Sequence, residues 1–97
     1  MDAKGRKALS TIRRCVAARR YRLLAHFTER MDERGLFWPD VLAILDDPTD
    51  VHSDGVDRWD RPKWIVTGES VCGHNLELVC VLDRDERGHI TVFITIY

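Results

Sequence analysis

The first half of the chain places its apolar residues three and four apart, whereas the last third gathers them into short, nearly continuous runs. Leu9, Ile12 and Val16, flanked by Ala8 and Cys15, predict an amphipathic helix over residues 4–19, with Arg6, Lys7, Arg13, Arg14 and Arg20 outside its stripe. The stripe is narrow, so the helix is expected at the domain's surface. Tyr21 to Ala25 reads as a short strand or an extended lead-in. Phe27 and Met31 set a second helix starting at His26, with Gly35 as its C-cap and Arg34 in the last turn, where a cation suits the helix dipole. Pro39 suits the first position of a third helix, continued by Val41, Leu42, Ile44 and Leu45 and ended before Pro48. Asp46 to Asp50 has the composition of a turn.

Strand formers dominate the rest of the chain. Val51 and His52 begin a short strand whose turn is Ser53-Asp54-Gly55. Lys63 to Gly68, Leu76 to Leu82 and Ile90 to Tyr97 read as three further strands, with Asp83 to Gly88 as a charged hairpin loop. Strands joined by short connections form an antiparallel meander. Helices first and strands after predict an α+β domain, with two or three N-terminal helices packed on a small antiparallel β-sheet.

Composition narrows the class. Ninety-seven residues are enough for one domain, 1–97, around a single core. Hydrophobic content of 44% and charged content of 32% belong to an ordinary folded protein. No apolar run approaches the ~20 residues of a membrane span, and the basic start (Lys4, Arg6, Lys7) has no apolar signal core after it. A cytoplasmic protein with no membrane partner is the expectation. Cys15, Cys72 and Cys80 are odd in number and form no CxxC pair, which predicts reduced thiols and no zinc site.

Charge is distributed unevenly. Residues 1–34 carry ten Lys and Arg against four acids, while residues 35–97 carry five against twelve. A basic half can meet phosphate and an acidic half can face a basic partner, although two solvated faces of opposite sign would look the same.

Within the basic half, His26, Arg30 and Arg34 stand at four-residue intervals before Gly35. On a helix this spacing stacks them along one side. A titratable ring beside two fixed cations is a candidate anion site.

The order of these features is familiar. His26-x-x-x-Arg30-x-x-x-Arg34-Gly35-Leu36, the Val41-Leu42-x-x-Leu45 helix, an acidic turn and the closing Thr95-Ile96-Tyr97 resemble a bacterial family of domains of unknown function, DUF4258, over about Leu9 to Tyr97. That family usually has alanine after the histidine, where this chain has Phe27. The family in turn resembles the RelE/MqsR/BrnT group of small toxins. This likeness implies a RelE-like fold, metal-independent RNA cleavage with no cofactor, and an antitoxin protein, commonly DNA-binding, as partner.

Such cleavage needs a base for the 2′-hydroxyl proton, cations for the crowded phosphate and an acid for the leaving 5′-oxygen. His26 titrates near neutrality, Arg30 and Arg34 offer bidentate donors, and Lys63 and Tyr97 supply a further cation and a phenol. The expected catalytic set is His26, Arg30, Lys63 and Tyr97, with Arg34, Arg61 and Trp64 on the substrate. Trp59 and Trp64 beside Arg58, Arg61 and Lys63 form an aromatic-basic cluster of the kind that binds single-stranded RNA.

Each residue also has a plain structural role open to it. His26 could cap its helix or fill a niche, Arg30 could pair with Glu29 or Glu33, Arg34 could serve the helix C-terminus, and Trp59 and Trp64 could be core. No metal is expected, because His26 with Glu29 has ligand spacing but His52, His74 and His89 give no supporting pattern. The competing function is a non-catalytic module that binds protein or nucleic acid.

Overall fold

Asp2 starts the first helix by accepting a hydrogen bond from the Gly5 amide at 2.7 Å. In the computed structural model, which describes residues 1–97, that helix is α1 (Ala3–Ala17), followed by β1 (Tyr21–Leu23), α2 (Ala25–Glu33) and α3 (Trp38–Asp46). Four strands complete the chain: β2 (Asp50–Val56), β3 (Pro62–Glu69), β4 (Asn75–Asp85) and β5 (Gly88–Ile96). The domain is α+β, three helices on one five-stranded sheet of order β1-β5-β4-β3-β2.

α1 and α2 stop in the same way. After α2, Gly35 takes φ +63°, its amide donates to the Asp32 carbonyl and the Leu36 amide to the Met31 carbonyl. This is the Schellman arrangement predicted by Gly35. After α1 the same two bonds run from Arg19 to Val16 and from Arg20 to Cys15, but the left-handed position, φ +59°, is held by Arg19. α3 carries Pro39 in its first turn and is tied by Asp40. One Asp40 carboxylate oxygen accepts from the Phe37 amide at 2.9 Å and the other from the Val71 amide at 3.0 Å. A single buried carboxylate thus joins the start of α3 to the loop between β3 and β4.

β2 to β5 form the expected meander, every neighbouring pair antiparallel. Three details differ from expectation. β1 pairs in parallel with β5 (Tyr21 with Thr91, Leu23 with Phe93), so the sheet is not wholly antiparallel. Only the long crossover through the helices and the meander brings those strands together. Ser53 to Gly55 is not a terminal turn but an irregularity inside β2, with Gly55 at φ +74°. The charged connection is shorter than Asp83 to Gly88, because pairing continues to Asp85 and Gly88 and leaves only Glu86 and Arg87 in the bend.

Strand alternation separates two faces. Leu76, Leu78 and Cys80 of β4, Val66 of β3, Val51 of β2 and Phe93 and Ile96 of β5 enter the core with residues from all three helices. Their neighbours Val79, Val81 and Val92 therefore point away from the helices. This second face, the open face of the sheet, has no helix on it. The helix face centres on Phe93, whose ring lies 5.6 Å from Phe27, 5.8 Å from Trp38 and 6.0 Å from Tyr21. Tyr21 stacks on Trp38 at 4.9 Å, so one aromatic cluster ties β1, α2, α3 and β5. Full burial of a side chain of this size contributes about 1.5–3 kcal/mol. The helices sit close: a Cβ on Gly5 would fall 2.6 Å from the Val51 carbonyl oxygen, and one on Gly68 would press on Ile44.

Candidate nucleic-acid interface

α2 carries His26, Arg30 and Arg34 at helical spacing, but the three end up in different surroundings. His26 is exposed in the first turn, and no side chain caps this helix, so neither a capping nor a niche role applies. Arg30, one turn on, is half-buried. Its Nε donates to the Ile96 carbonyl at 3.3 Å and its guanidinium lies over the Tyr97 ring, 5.5 Å from the centroid. Glu33 is 3.9 Å away, a loose ion pair that leaves the outer nitrogens of Arg30 largely unengaged. Arg34 is the exposed C-cap residue, where its charge faces the negative end of the helix.

Tyr97 and Lys63 share the open face. Tyr97 pairs with Glu77 through both backbone bonds, and Glu77 aligns with Thr67, four residues along β3 from Lys63. Strand geometry puts the two Cα atoms roughly 16 Å apart, two strands across and four residues along. They therefore do not meet at one phosphate. Lys63 instead belongs to a row across four strands, Arg22–Val92–Val81–Lys63, in which two buried valines lie between two cations.

Several of these cations are already partnered. Lys63 Nζ is 3.3 Å from Asp54. Arg61 is held by Asp57 at 2.7 Å and Asp83 at 3.0 Å. The Asp57 carboxyl is held below its ordinary value: desolvation, the largest single effect, pushes it up, but the hydrogen bonds from Arg61 and the Trp59 amide together outweigh it. Asp83 is lowered by the Arg84 amide and then by Arg61, and the Asp57 and Asp83 hydrogen bonds raise Arg61 in return. Trp59 is exposed and no part of the core, against the structural role open to it. Arg58 and Arg61 lie over its ring at 4.1 and 4.9 Å. Trp64 faces the other way, half-buried against the helix-side core. Trp64 and Lys63, neighbours in the expected interface, therefore serve opposite faces.

The structure thus brings His26, Arg30 and Tyr97 to one end of the sheet and leaves Lys63 and Arg61 at the other. Sequence reasoning passed over Arg22, whose alternation in β1 puts it on the open face. It also passed over Asp83 and Asp57, the carboxylates that neutralise Arg61. All three cysteines are free thiols, no cluster of His, Cys, Asp and Glu could hold a metal, and no helix is long and apolar enough to cross a membrane.

Comparison with known proteins gives a family and nothing nearer. No curated protein and no solved structure matches the chain. The family described as Domain of unknown function (DUF4258) matches residues 23–97. The match begins at Leu23, the last residue of β1, later than the Leu9 expected from the motif pattern, so α1 lies before it. With α2, α3 and the whole meander inside the matched segment, the chain belongs to the DUF4258 family.

Proposed function

We propose that the domain is a toxin-like endoribonuclease that cleaves RNA without metal and is held in check by an antitoxin protein. The contact between Arg30 and Tyr97 is the observation that carries this reading. A guanidinium fixed from one side by a carbonyl and from below by a phenol ring is preorganised to hold a phosphate, because little side-chain freedom is left to lose. His26 stands one helical turn away with an exposed ring. In the proposed step the RNA 2′-oxygen attacks phosphorus as its proton passes to the His26 imidazole. The bond from phosphorus to the 5′-oxygen breaks, and the Tyr97 hydroxyl protonates the departing oxygen. Arg30 stabilises the extra charge on the phosphate, and the products are a 2′,3′-cyclic phosphate and a 5′-hydroxyl.

The test is incubation of end-labelled RNA with the purified domain in excess chelator. Cleavage leaving cyclic phosphate ends is expected. Intact RNA together with undisturbed growth on expression overturns the proposal.

One observation favours a second reading, a non-catalytic binding module. Lys63 and Arg61, expected to meet substrate, are engaged by Asp54, Asp57 and Asp83. On this reading RNA or a protein partner binds, and no cleavage product forms.

A further inference from the structure

A cluster of cations without ion-pair partners lies elsewhere, in a groove between α1 and the β4–β5 hairpin. Lys4, Lys7, Thr11 and Arg14 follow one another at intervals of three and four residues, so they share one side of α1. Two adjoining hollows of about 290 and 330 Å³ run along that side, and Thr11 and His89 line both. The far wall is the hairpin: Arg84 opposite His89 in register, and Arg87 in the bend. Arg84 and His89 project to the helix face by the same alternation that buries Cys80. Trp64 and Leu82 complete the floor at the Lys4 end.

The charge balance in this groove is one-sided. Arg20 spends its charge on Asp85, but Lys4, Lys7, Arg14, Arg84 and Arg87 take part in no ion pair. Their field is felt at His89, whose pKa is depressed by burial first and then by Arg84, Arg14 and Lys7. From Lys4 to Arg14 the helix rises about 15 Å, room for several consecutive backbone phosphates. An acidic peptide would satisfy the charges but would leave the half-buried Trp64 at the groove floor unused. A single strand offers both a phosphate row and bases that stack on an aromatic ring.

We propose that this groove binds the phosphodiester backbone of a single-stranded nucleic acid, with Lys4, Lys7, Arg14, Arg84 and Arg87 meeting successive phosphates and Trp64 receiving a base. The site is separate from Arg30 and Tyr97 and does not depend on cleavage there. One wall, α1, lies outside the segment shared with the family, and the other lies within it.

The experiment is fluorescence anisotropy with a labelled twelve-nucleotide oligouridine and its deoxy counterpart, which has no 2′-hydroxyl and cannot be cleaved. Wild type is compared with the double variant Lys7→Gln/Arg84→Gln and with Arg6→Gln, which lines neither hollow; thermal melts confirm that each is folded. The expected result is at least a tenfold loss of affinity in the double variant and under twofold in Arg6→Gln. The slope of log affinity against log salt should flatten by roughly 1.4, since each single-strand phosphate contact contributes about 0.7. Equal loss with both oligonucleotides assigns recognition to the phosphodiester, and a loss confined to the ribose form adds its hydroxyl to the site. Unchanged affinity in the folded double variant, or a duplex bound as tightly as either single strand, overturns the proposal. Because the deoxy oligonucleotide reports binding alone, a domain that binds it without cutting RNA leaves the groove standing and removes only the ribonuclease reading.

Discussion

Arg30 is held over the ring of Tyr97, 5.5 Å from its centroid, while its Nε donates to the carbonyl of Ile96 at 3.3 Å. The next-to-last and last residues of the chain thus orient a side chain from α2. If that arrangement serves RNA cleavage, Arg30→Ala should slow it about 10²–10³-fold, as loss of one charge-stabilising donor does. Tyr97→Phe keeps the ring and removes the acid, so it should lower the rate by at least about 10²-fold with stability unchanged within about 0.5 kcal/mol. Single-turnover cleavage and thermal melts check both. Full activity in Tyr97→Phe would remove the phenol from the mechanism and leave Arg30 in place.

Asp40 ties two parts of the fold through one carboxylate. Asp40→Ala leaves the Phe37 and Val71 amides without their acceptor. The expected cost is about 2–4 kcal/mol, the sum of an N-terminal helix contact and a buried donor left unpaired. Asp40→Asn keeps one acceptor oxygen and should cost about half as much. Urea denaturation of the two variants measures the difference.

The two helix ends make opposite predictions from one geometry. Gly35→Ala puts a Cβ at φ +63° and should destabilise by about 1 kcal/mol, although the space around it is open. Arg19→Gly relieves the same strain at φ +59° and should stabilise by about 0.5–1 kcal/mol. Paired melts of the two proteins test the claim, and a destabilised Arg19→Gly would contradict it.

Acid should weaken the fold in two stages. Burial and the cations around it hold His89 below its ordinary 6.5, so the unfolded chain takes up a proton that the folded one declines. Stability therefore falls as pH drops through 6.5 toward the lower folded value. Asp57, Asp83 and Asp85 are lowered from 3.8, the last by the Arg87 amide and then Arg20 against some desolvation. Their contribution is complete above that value and is lost as pH falls through their folded values. His89→Gln should flatten the first stage and leave the second, as read from urea midpoints across the two windows.

The thiols should separate cleanly. Cys80 is pushed up to about 12 by burial and, after that, by the nearby Cys15, so it is a protonated thiol shielded from reagents. Cys72 is exposed. An aromatic disulfide reagent at neutral pH should modify Cys72 quickly and the two buried thiols only after denaturation. Cys72→Ser should abolish the fast phase.

Much of the architecture could be read from local pattern because its causes are local. Leu9, Ile12 and Val16 set α1 by spacing, Gly35 stopped α2 by its conformational freedom, and Pro39, expected at the first position of α3 but found at its second, favoured the first turn by its fixed φ. Errors arose where a distant partner decided. Gly55 marks an irregularity inside β2 because β3 continues past it, and Asp83 to Asp85 remain strand because Gly88 to Ile90 pair with them. The candidate site was legible in part. The four-residue spacing of His26 and Arg30 is a helix property, and strand alternation sets Trp64 on the face opposite Lys63, but nothing near Lys63 in the chain announces Asp54 as its partner.

The sequence by itself determined the three helices, most of the strands, the α+β class and the family to which the chain belongs. These follow from periodicity, caps and motif spacing, all properties of neighbouring residues. Only the tertiary structure decided which cations are free. Strand register engaged Arg61 and Lys63 with carboxylates and set Arg30 on Tyr97. The packing of α1 against the hairpin gathered Lys7, Arg14, Arg84 and Arg87, none of which takes part in an ion pair. Charge compensation depends on distances between residues far apart in the chain, and those distances exist only once the sheet has formed.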